Sequence, residues 1–266
     1  MYTDTNNSVL YVIPARTGSK RLPGKNVLPF GDTTLVQETI RCALTARDLM
    51  GDNTAWKFRY EDRASPVGVR YAGKPAVVVT ADGDWISHYE GATWILRPEV
   101  YATDDSDISS AVRHALITAE AWGDMQFGWV VTLQPAVPVR TPRMIARLVR
   151  AVQEANAGGG LVGVRCHPWI WAEGIPKGWQ PHPYPLSQDM ARPWQEINSI
   201  QVASRDSVLL GRRWADPLMW LLLPPHCAYD IDTEADYLHA KAHLPAILDG
   251  LRDEDLEIWP PREVTP

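Results

Sequence analysis

The sequence predicts an α/β fold built on a mainly parallel sheet flanked by helices. Two observations carry that expectation. Short runs rich in Val, Ile and Leu alternate along the chain with longer stretches of helical period, the order that parallel strands need for their crossovers. The composition agrees: 266 residues, 45% apolar and 22% charged, give a globular chain with ample length for one large or two small cores.

Taken in order, residues 9–14 form the first expected strand, and a cationic loop follows it. An amphipathic helix is expected near 35–47. Residues 51–75 mix Gly, Pro and both charges, and read as an insertion before the next strand, 76–80. A helix over 109–121 leads to a strand at 129–133. A helix over 142–156 leads through a glycine run to a strand at 161–165. Residues 167–196 are rich in Pro, Trp and His with weak periodicity, the character of a segment that binds ligand or partner. Order returns with a strand at 197–203. Asp232 is placed to cap a final helix over 234–244, and the acidic, proline-bearing tail from Asp253 is expected to be loose. The domain division that follows is an α/β domain of 1–166 and 203–266, with 167–202 as an excursion.

Composition excludes several classes. The net charge is −6 and no run of five or more basic residues occurs, which argues against a nucleic-acid or membrane-surface binder. The N-terminus is polar, with no visible signal peptide, and no stretch approaches the ~18 apolar residues of a membrane span. Cys42, Cys166 and Cys227 are widely spaced and odd in number, which suits buried thiols in a reducing cytoplasm. Twelve Trp residues serve either core and interface packing or a stacking platform for bases, and the lack of a basic groove favours packing. Gly158-Gly159-Gly160-Leu161-Val162-Gly163 satisfies G-x-G-x-x-G. It follows a helix and opens a strand, the reverse of a dinucleotide fingerprint, and reads as a helix C-terminal stop. His239 and His243 share a helix face but lack the Glu of a zinc motif, so they read as surface histidines.

The loop after the first strand carries chemistry. Residues 13–26 read Ile-Pro-Ala-Arg-Thr-Gly-Ser-Lys-Arg-Leu-Pro-Gly-Lys-Asn, with Arg16, Lys20, Arg21 and Lys25 among two glycines and two prolines. Glycine admits backbone N–H groups close to oxygen, and the cations neutralise phosphate charge, so the loop suits a triphosphate. Five residues separate Gly18 from Gly24 and Asn26 follows Lys25, so it is not a Walker A loop. Near the C-terminus, Asp230 and Asp232 are two apart and project to one side of an extended segment. That is either a divalent-metal pair or a helix cap beside a solvated acid.

The loop resembles the N-terminal signature of the sugar-acid cytidylyltransferases, the acylneuraminate (CMP-sialic acid synthetase) family and its 3-deoxy-octulosonate relatives. The likeness continues in order. Val78-Val79-Thr80-Ala81-Asp82 is similar to that family's strand and Thr-Asp turn. Leu96-Arg97-Pro98 through Ala102-Thr103-Asp104-Asp105-Ser106 is similar to its "RP..LA.D" segment. Leu133-Gln134-Pro135-Ala136-Val137-Pro138-Val139-Arg140 resembles "LQPTSPLR", and Asp230-Ile231-Asp232-Thr233-Glu234-Ala235-Asp236 resembles "DIDTEED". The acceptor half departs from the pattern: "R.NGAIY" appears as Glu196-Ile197-Asn198-Ser199-Ile200-Gln201-Val202, with Glu in place of a cation.

The resemblance implies a Rossmann-like sheet of the nucleotide-diphospho-sugar transferase type and a cytidylyltransferase that converts CTP and a 2-keto-3-deoxy sugar acid to CMP-sugar and pyrophosphate. It implies Mg²⁺ (or Mn²⁺) on Asp230 and Asp232, and Arg16, Lys25 and Asp232 as the catalytic set. Pro14, Ala15 and Arg97 would read the base. Gly18, Ser19, Lys25, Asn26 and Ser106 would complete the nucleotide site, with Asn26 either touching nucleotide or holding the loop. Gln134, Arg192 and Asn198 would face the acceptor. It also implies a homodimer in which residues 167–200 reach across to the partner's sugar site. Transfer to another acceptor or from another nucleotide, and CTP binding without catalysis, remain the alternatives.

Overall fold

The computed structural model describes residues 7–16, 18–51, 76–83, 92–103, 106–123 and 125–260. The insertion expected at 51–75 lies, after Gly51, outside the described residues, as do Asp104 and Asp105. The chain enters on β1 (Val9–Ala15), whose side chains alternate between two cores. Val9, Tyr11 and Ile13 pack on one side of the sheet, Leu10 and Val12 on the other. Burial on both faces is why this strand is a continuous apolar run.

After β1 come a two-strand ribbon of β2 (Pro29–Phe30) and β3 (Thr33–Thr34) and helix α1 (Leu35–Leu49). Thr34 and Gln37 close a capping box at the start of α1. Next in order are β4 (Val77–Ala81), β5 (Thr93–Leu96), α2 (Ile108–Gly123), β6 (Trp129–Leu133), α3 (Pro142–Glu154) and β7 (Gly159–Arg165). A small hairpin, β8 (Ile170–Ala172) and β9 (Ile175–Lys177), precedes β10 (Trp194–Ser204) and α4 (Arg205–Leu209). The chain ends in β11 (Leu218–Leu223), α5 (Glu234–Gly250) and β12 (Glu257–Trp259).

Eight strands form one sheet in the order β12-β11-β7-β10-β6-β1-β4-β5. The pairs β6/β1, β1/β4, β4/β5 and β7/β11 are parallel, whereas β10 runs antiparallel to both β6 and β7 and β12 antiparallel to β11. Residues of α1, α3 and α5 join one core, and those of α2 and α4 the other. The expected mainly parallel α/β sheet is therefore the fold observed. Of residues 167–202, those from Trp194 onward belong to β10 in the main sheet, which leaves 167–193 outside it.

Three expectations are corrected. The helix stop is not the glycine run: Asn156 takes the left-handed conformation (φ 47°), and the Ala157 and Asn156 N–H groups donate to Val152 O and Gln153 O. The glycines serve packing instead. A Cβ on Gly158 would lie 2.3 Å from Ala215 O, and one on Gly160 would lie 2.6 Å from Val152 Cγ2. The cap of α5 is Thr233, which forms a capping box with Asp236, so Asp232 is released for other work. The tail is not loose through residue 260. Leu256 is buried and β12 pairs along β11, because the apolar Leu256, Ile258 and Trp259 outweigh the acids, which occupy the turn at 253–255.

Candidate active site

The chain runs outward from β1 through β4 to β5, then returns to β6 on the other side of β1. The loops leaving β1 and β6 therefore diverge, and a crevice opens at the carboxyl ends of those strands. A cleft of about 230 Å³ sits there, lined by Pro14, Arg16, Lys25, Asn26, Arg97, Ser106 and Gln134 among others. Seven residues singled out in the sequence are thus brought to one cavity by topology.

The cationic loop is shaped for this. Gly24 takes φ 67°, a conformation that favours glycine, and turns the chain into a 3₁₀ turn at Lys25–Val27. Asn26 is buried, lines the cleft and holds the loop through its Nδ2, which donates to Arg16 O at 2.9 Å. Lys25 Nζ donates to Ile231 O at 2.9 Å and to Asp232 Oδ1 at 3.2 Å. Arg21 also reaches Asp232, at 2.8 Å. Ile231 N–H in turn donates to Ala136 O at 2.9 Å, beside Gln134 and Pro135 of the cleft wall. Loop, acidic segment and the turn after β6 are stitched together across more than 200 residues of sequence.

Asp230 and Asp232 show a demand for positive charge. Burial holds the Asp230 carboxyl above the usual carboxylate range, the Asp232 charge adds to that, and Lys25 and Arg21 oppose it. Among the described residues no group of three or more His, Cys, Asp or Glu side chains stands together. Two carboxylates of one segment, joined to the cleft through Lys25, are the kind of oxygen donor a magnesium-type ion takes, with water and phosphate completing its shell. The residues fit such an ion.

Arg97 lies at the end of β5, nearly buried; its Nη2 donates to Thr80 O at 2.8 Å. Burial pushes its pKa down to about 10, Asp82 pulls it up and Arg16 pushes it down, so it remains a cation at neutral pH. Arg16 donates to Thr103 O at 3.4 Å, and the Thr103 and Ser106 hydroxyls pair at 2.6 Å. Thr103 also lines the cleft, and the sequence motifs assign it no role. A backbone acceptor such as Thr103 O leaves no signal there.

Arg140 ends the motif that begins at Leu133 and is fully enclosed. It donates to Thr39 Oγ1 at 2.6 Å and to the Gln134 and Val137 carbonyls, and so fixes the backbone that presents Gln134. Ala15 is buried in β1, whereas Gly18 is exposed and, with Ser19, stands outside the cleft lining. Arg192 is exposed in the turn before β10 and is not brought to the cleft. Asn198 does not line it either; its Oδ1 accepts from Arg213 Nη2 at 2.6 Å and from Gln201 Nε2 at 2.9 Å. A larger groove of about 580 Å³ lies along α3, but its arginines are engaged: Arg147 with Asp253 O and Arg150 with Leu49 O. His239 and His243 stack edge to face on the exposed side of α5. No helix among the described residues is long and apolar enough to cross a membrane.

Comparison with known proteins bears on the fold and on the first loop. The cytidylyltransferase family model matches residues 10–49, the β1 strand, the cationic loop and α1. A CMP-N,N'-diacetyllegionaminic acid synthase of Legionella pneumophila is 28% identical over 237 residues, covering 86% of this chain and 93% of that one. An N-acylneuraminate cytidylyltransferase of Escherichia coli is 29% identical over 148 residues, 54% of this chain and 28% of that protein. Among solved structures, a CMP:2-keto-3-deoxy-manno-octonic acid synthetase complexed with CTP shares the fold, with a TM-score of 0.56 at 16% identity, over 91% of this chain and all of that one. A 4-diphosphocytidyl-2C-methyl-D-erythritol synthase of Anaerococcus prevotii gives a TM-score of 0.53 at 10% identity, over 90% of this chain and 98% of that one. Ordered motifs, fold and relatives converge on a nucleotidyltransferase that is similar to the cytidylyltransferases, acylneuraminate enzymes among them.

Proposed function

We propose that this enzyme transfers CMP from CTP to a 2-keto-3-deoxy sugar acid and releases pyrophosphate. The observation that carries the reading is Lys25, which joins the cationic loop to the acidic segment at the mouth of the cleft. The acceptor's anomeric hydroxyl attacks the α-phosphorus in line. A P–O bond forms to the sugar as the α–β bridge bond breaks, and the hydroxyl proton passes to water. Arg16 and Lys25 offset the charge that builds on the α-phosphate and the departing pyrophosphate, so catalysis rests on positioning and charge rather than on a covalent intermediate. Pro14, Ala15 and Arg97 hold the base, with Gly18, Ser19, Asn26 and Ser106 around the phosphates and ribose. Asp230 and Asp232 would hold the divalent cation, Mg²⁺ or Mn²⁺, which when bound supplies positive charge against the phosphates. Gln134, Arg192 and Asn198 belong to the acceptor side, Arg192 through the partner subunit of a homodimer.

The relatives named for legionaminate, acylneuraminate and octulosonate products support an acidic sugar as acceptor. Glu196, standing where the family pattern has Arg, favours a second reading in which the acceptor differs from N-acetylneuraminate. Pyrophosphate release measured with each of four nucleoside triphosphates against a panel of sugar acids tests both. Turnover with CTP and at least one 2-keto-3-deoxy acid is expected, and should vanish on chelation and return with Mg²⁺ or Mn²⁺. Activity confined to neutral sugar phosphates would reject the substrate class.

A further inference from the structure

Strand β10 carries an irregularity that the proposed chemistry leaves unexplained. Its residues 194–197 pair with β7 alone, residues 200–204 pair with β6, and the register against β7 slips between Ile197 and Gln201. Ile200 stands opposite Leu133, the last residue of β6. The slipped residues 198 and 199 therefore lie just past that end, where the chain continues into Gln134 of the cleft wall. Bulges of this kind re-aim side chains beside active sites.

The bulge gathers a polar group on the sheet face opposite α1 and α3. Ile200 and Val202 point into the core shared with α1 and α3, so Gln201 projects to the opposite face, as does Thr132, its partner on β6. Gln201 Nε2 donates to Asn198 Oδ1 at 2.9 Å and to Glu196 Oε1 at 3.3 Å. Arg213, from the connection between α4 and β11, donates to Asn198 Oδ1 at 2.6 Å and stands 3.7 Å from Glu196. Two donors converging on one Asn198 atom fix it as the oxygen. Its NH₂ then turns away from both and makes no hydrogen bond among the described residues.

We propose that Arg213 is a positioning residue that sets acceptor specificity: it clamps Asn198 with the NH₂ free to donate to the sugar acid, and its guanidinium offsets Glu196 beside the acceptor carboxylate. This rests on the sugar-acid reading above. The strand sequence places an acid where an anionic substrate must bind, and a bare carboxylate there repels it. Arg213, seventeen residues further on, restores the missing cation. The alternative donor considered from sequence, Arg192, has no such partner among the described residues.

The test is steady-state kinetics with CTP and sugar acid varied separately, CTP binding measured calorimetrically without acceptor, and melting temperature for every variant. Arg213→Ala should raise the acceptor KM about tenfold or more, the loss of one charge-assisted contact, while the CTP Kd stays within about twofold. Arg213→Lys should recover part of the loss. Glu196→Gln should lower the acceptor KM, which a purely structural pair would not do. With Glu196→Gln in place to remove the charge that Arg213 offsets, adding Arg213→Ala to Asn198→Ala should change nothing further, since the remaining effect of Arg213 acts through Asn198. The proposal falls if CTP Kd rises as much as acceptor KM, or if the Asn198 and Arg213 substitutions add in that Glu196→Gln background. A wild-type protein that binds CTP but uses no sugar acid would instead overturn the substrate reading, and this proposal with it.

Discussion

At the residue scale Lys25 joins the parts of the site: one ammonium group touches the Ile231 carbonyl and the Asp232 carboxylate while its loop lines the cleft. Replacing it by Met keeps the length and removes the charge. A preorganised cation aimed at transition-state charge contributes about 10²–10³-fold to kcat, so Lys25→Met should cost roughly that in pyrophosphate release. Arg21 also pairs with Asp232 but is largely exposed and solvent-screened, so Arg21→Ala should cost far less. A loss for Arg21→Ala equal to that for Lys25→Met would show that the acidic segment, not the cleft, sets the effect.

His114 gives the same neighbourhood a pH signature. It packs on Tyr101, ring centroids 5.7 Å apart, and its Nδ1 is buried with no hydrogen-bond partner among the described residues. Burial lowers its pKa from 6.5, and the nearby Arg97 cation lowers it further. The unfolded chain therefore binds the proton more readily. The stability this represents is complete above about pH 6.5 and is lost as pH falls from there through the folded value. Melting temperature followed from pH 7.5 to 5 should fall less steeply in His114→Gln than in the wild type. Identical slopes would remove His114 from the account.

At the element scale, the glycine run before β7 offers the sharpest test. A Cβ on Gly158 would collide with the Ala215 backbone, which has no rotamer through which to yield, whereas one on Gly250, at the end of α5, would meet nothing within 4 Å. Gly158→Ala should destabilise the protein by about 1–3 kcal/mol, the usual cost of overpacking. Gly250→Ala should be neutral or gain a few tenths through helix propensity. Denaturant midpoints would separate the two, and equal midpoints would refute the packing role.

That run also shows what was legible in the sequence. A long apolar run such as β1 or an amphipathic stretch such as α3 announces itself by period, and both fell within a few residues of expectation. The cationic loop and the acidic pair were readable because their residue types are few and their spacing is local. What escaped depends on distant partners. β5 is four residues long, and β12 is three held by pairing along β11. The role of Gly158 depends on a carbonyl nearly sixty residues away. Arg213 looked like any loop arginine, since nothing local ties it to Asn198.

At the scale of the whole molecule, the segment between β7 and β10 stands outside the main sheet and carries its own aromatic cluster. Trp169 stacks on Tyr184 with centroids 4.7 Å apart, and Trp179 meets Trp169 and Trp171 edge to face at 5.2 and 5.0 Å. The cluster is too small to be a closed core. Trp171 is 54% exposed, Ile175 57%, Tyr184 65% and Leu186 60%. Several exposed large apolar side chains on one short segment of a charged protein are the mark of an interface, and the β8/β9 hairpin carries two of them. A second copy of the chain is the partner we propose, so light scattering at micromolar concentration should report twice 29.8 kDa. Trp171→Glu with Ile175→Glu should shift that mass to the monomer while the melting curve keeps a single cooperative transition, because neither side chain belongs to the sheet cores. If the excursion also completes the partner's acceptor side, the monomeric variant should bind CTP normally and lose sugar-acid turnover. A wild-type protein that stays monomeric at every concentration tested would leave this aromatic surface to some other ligand.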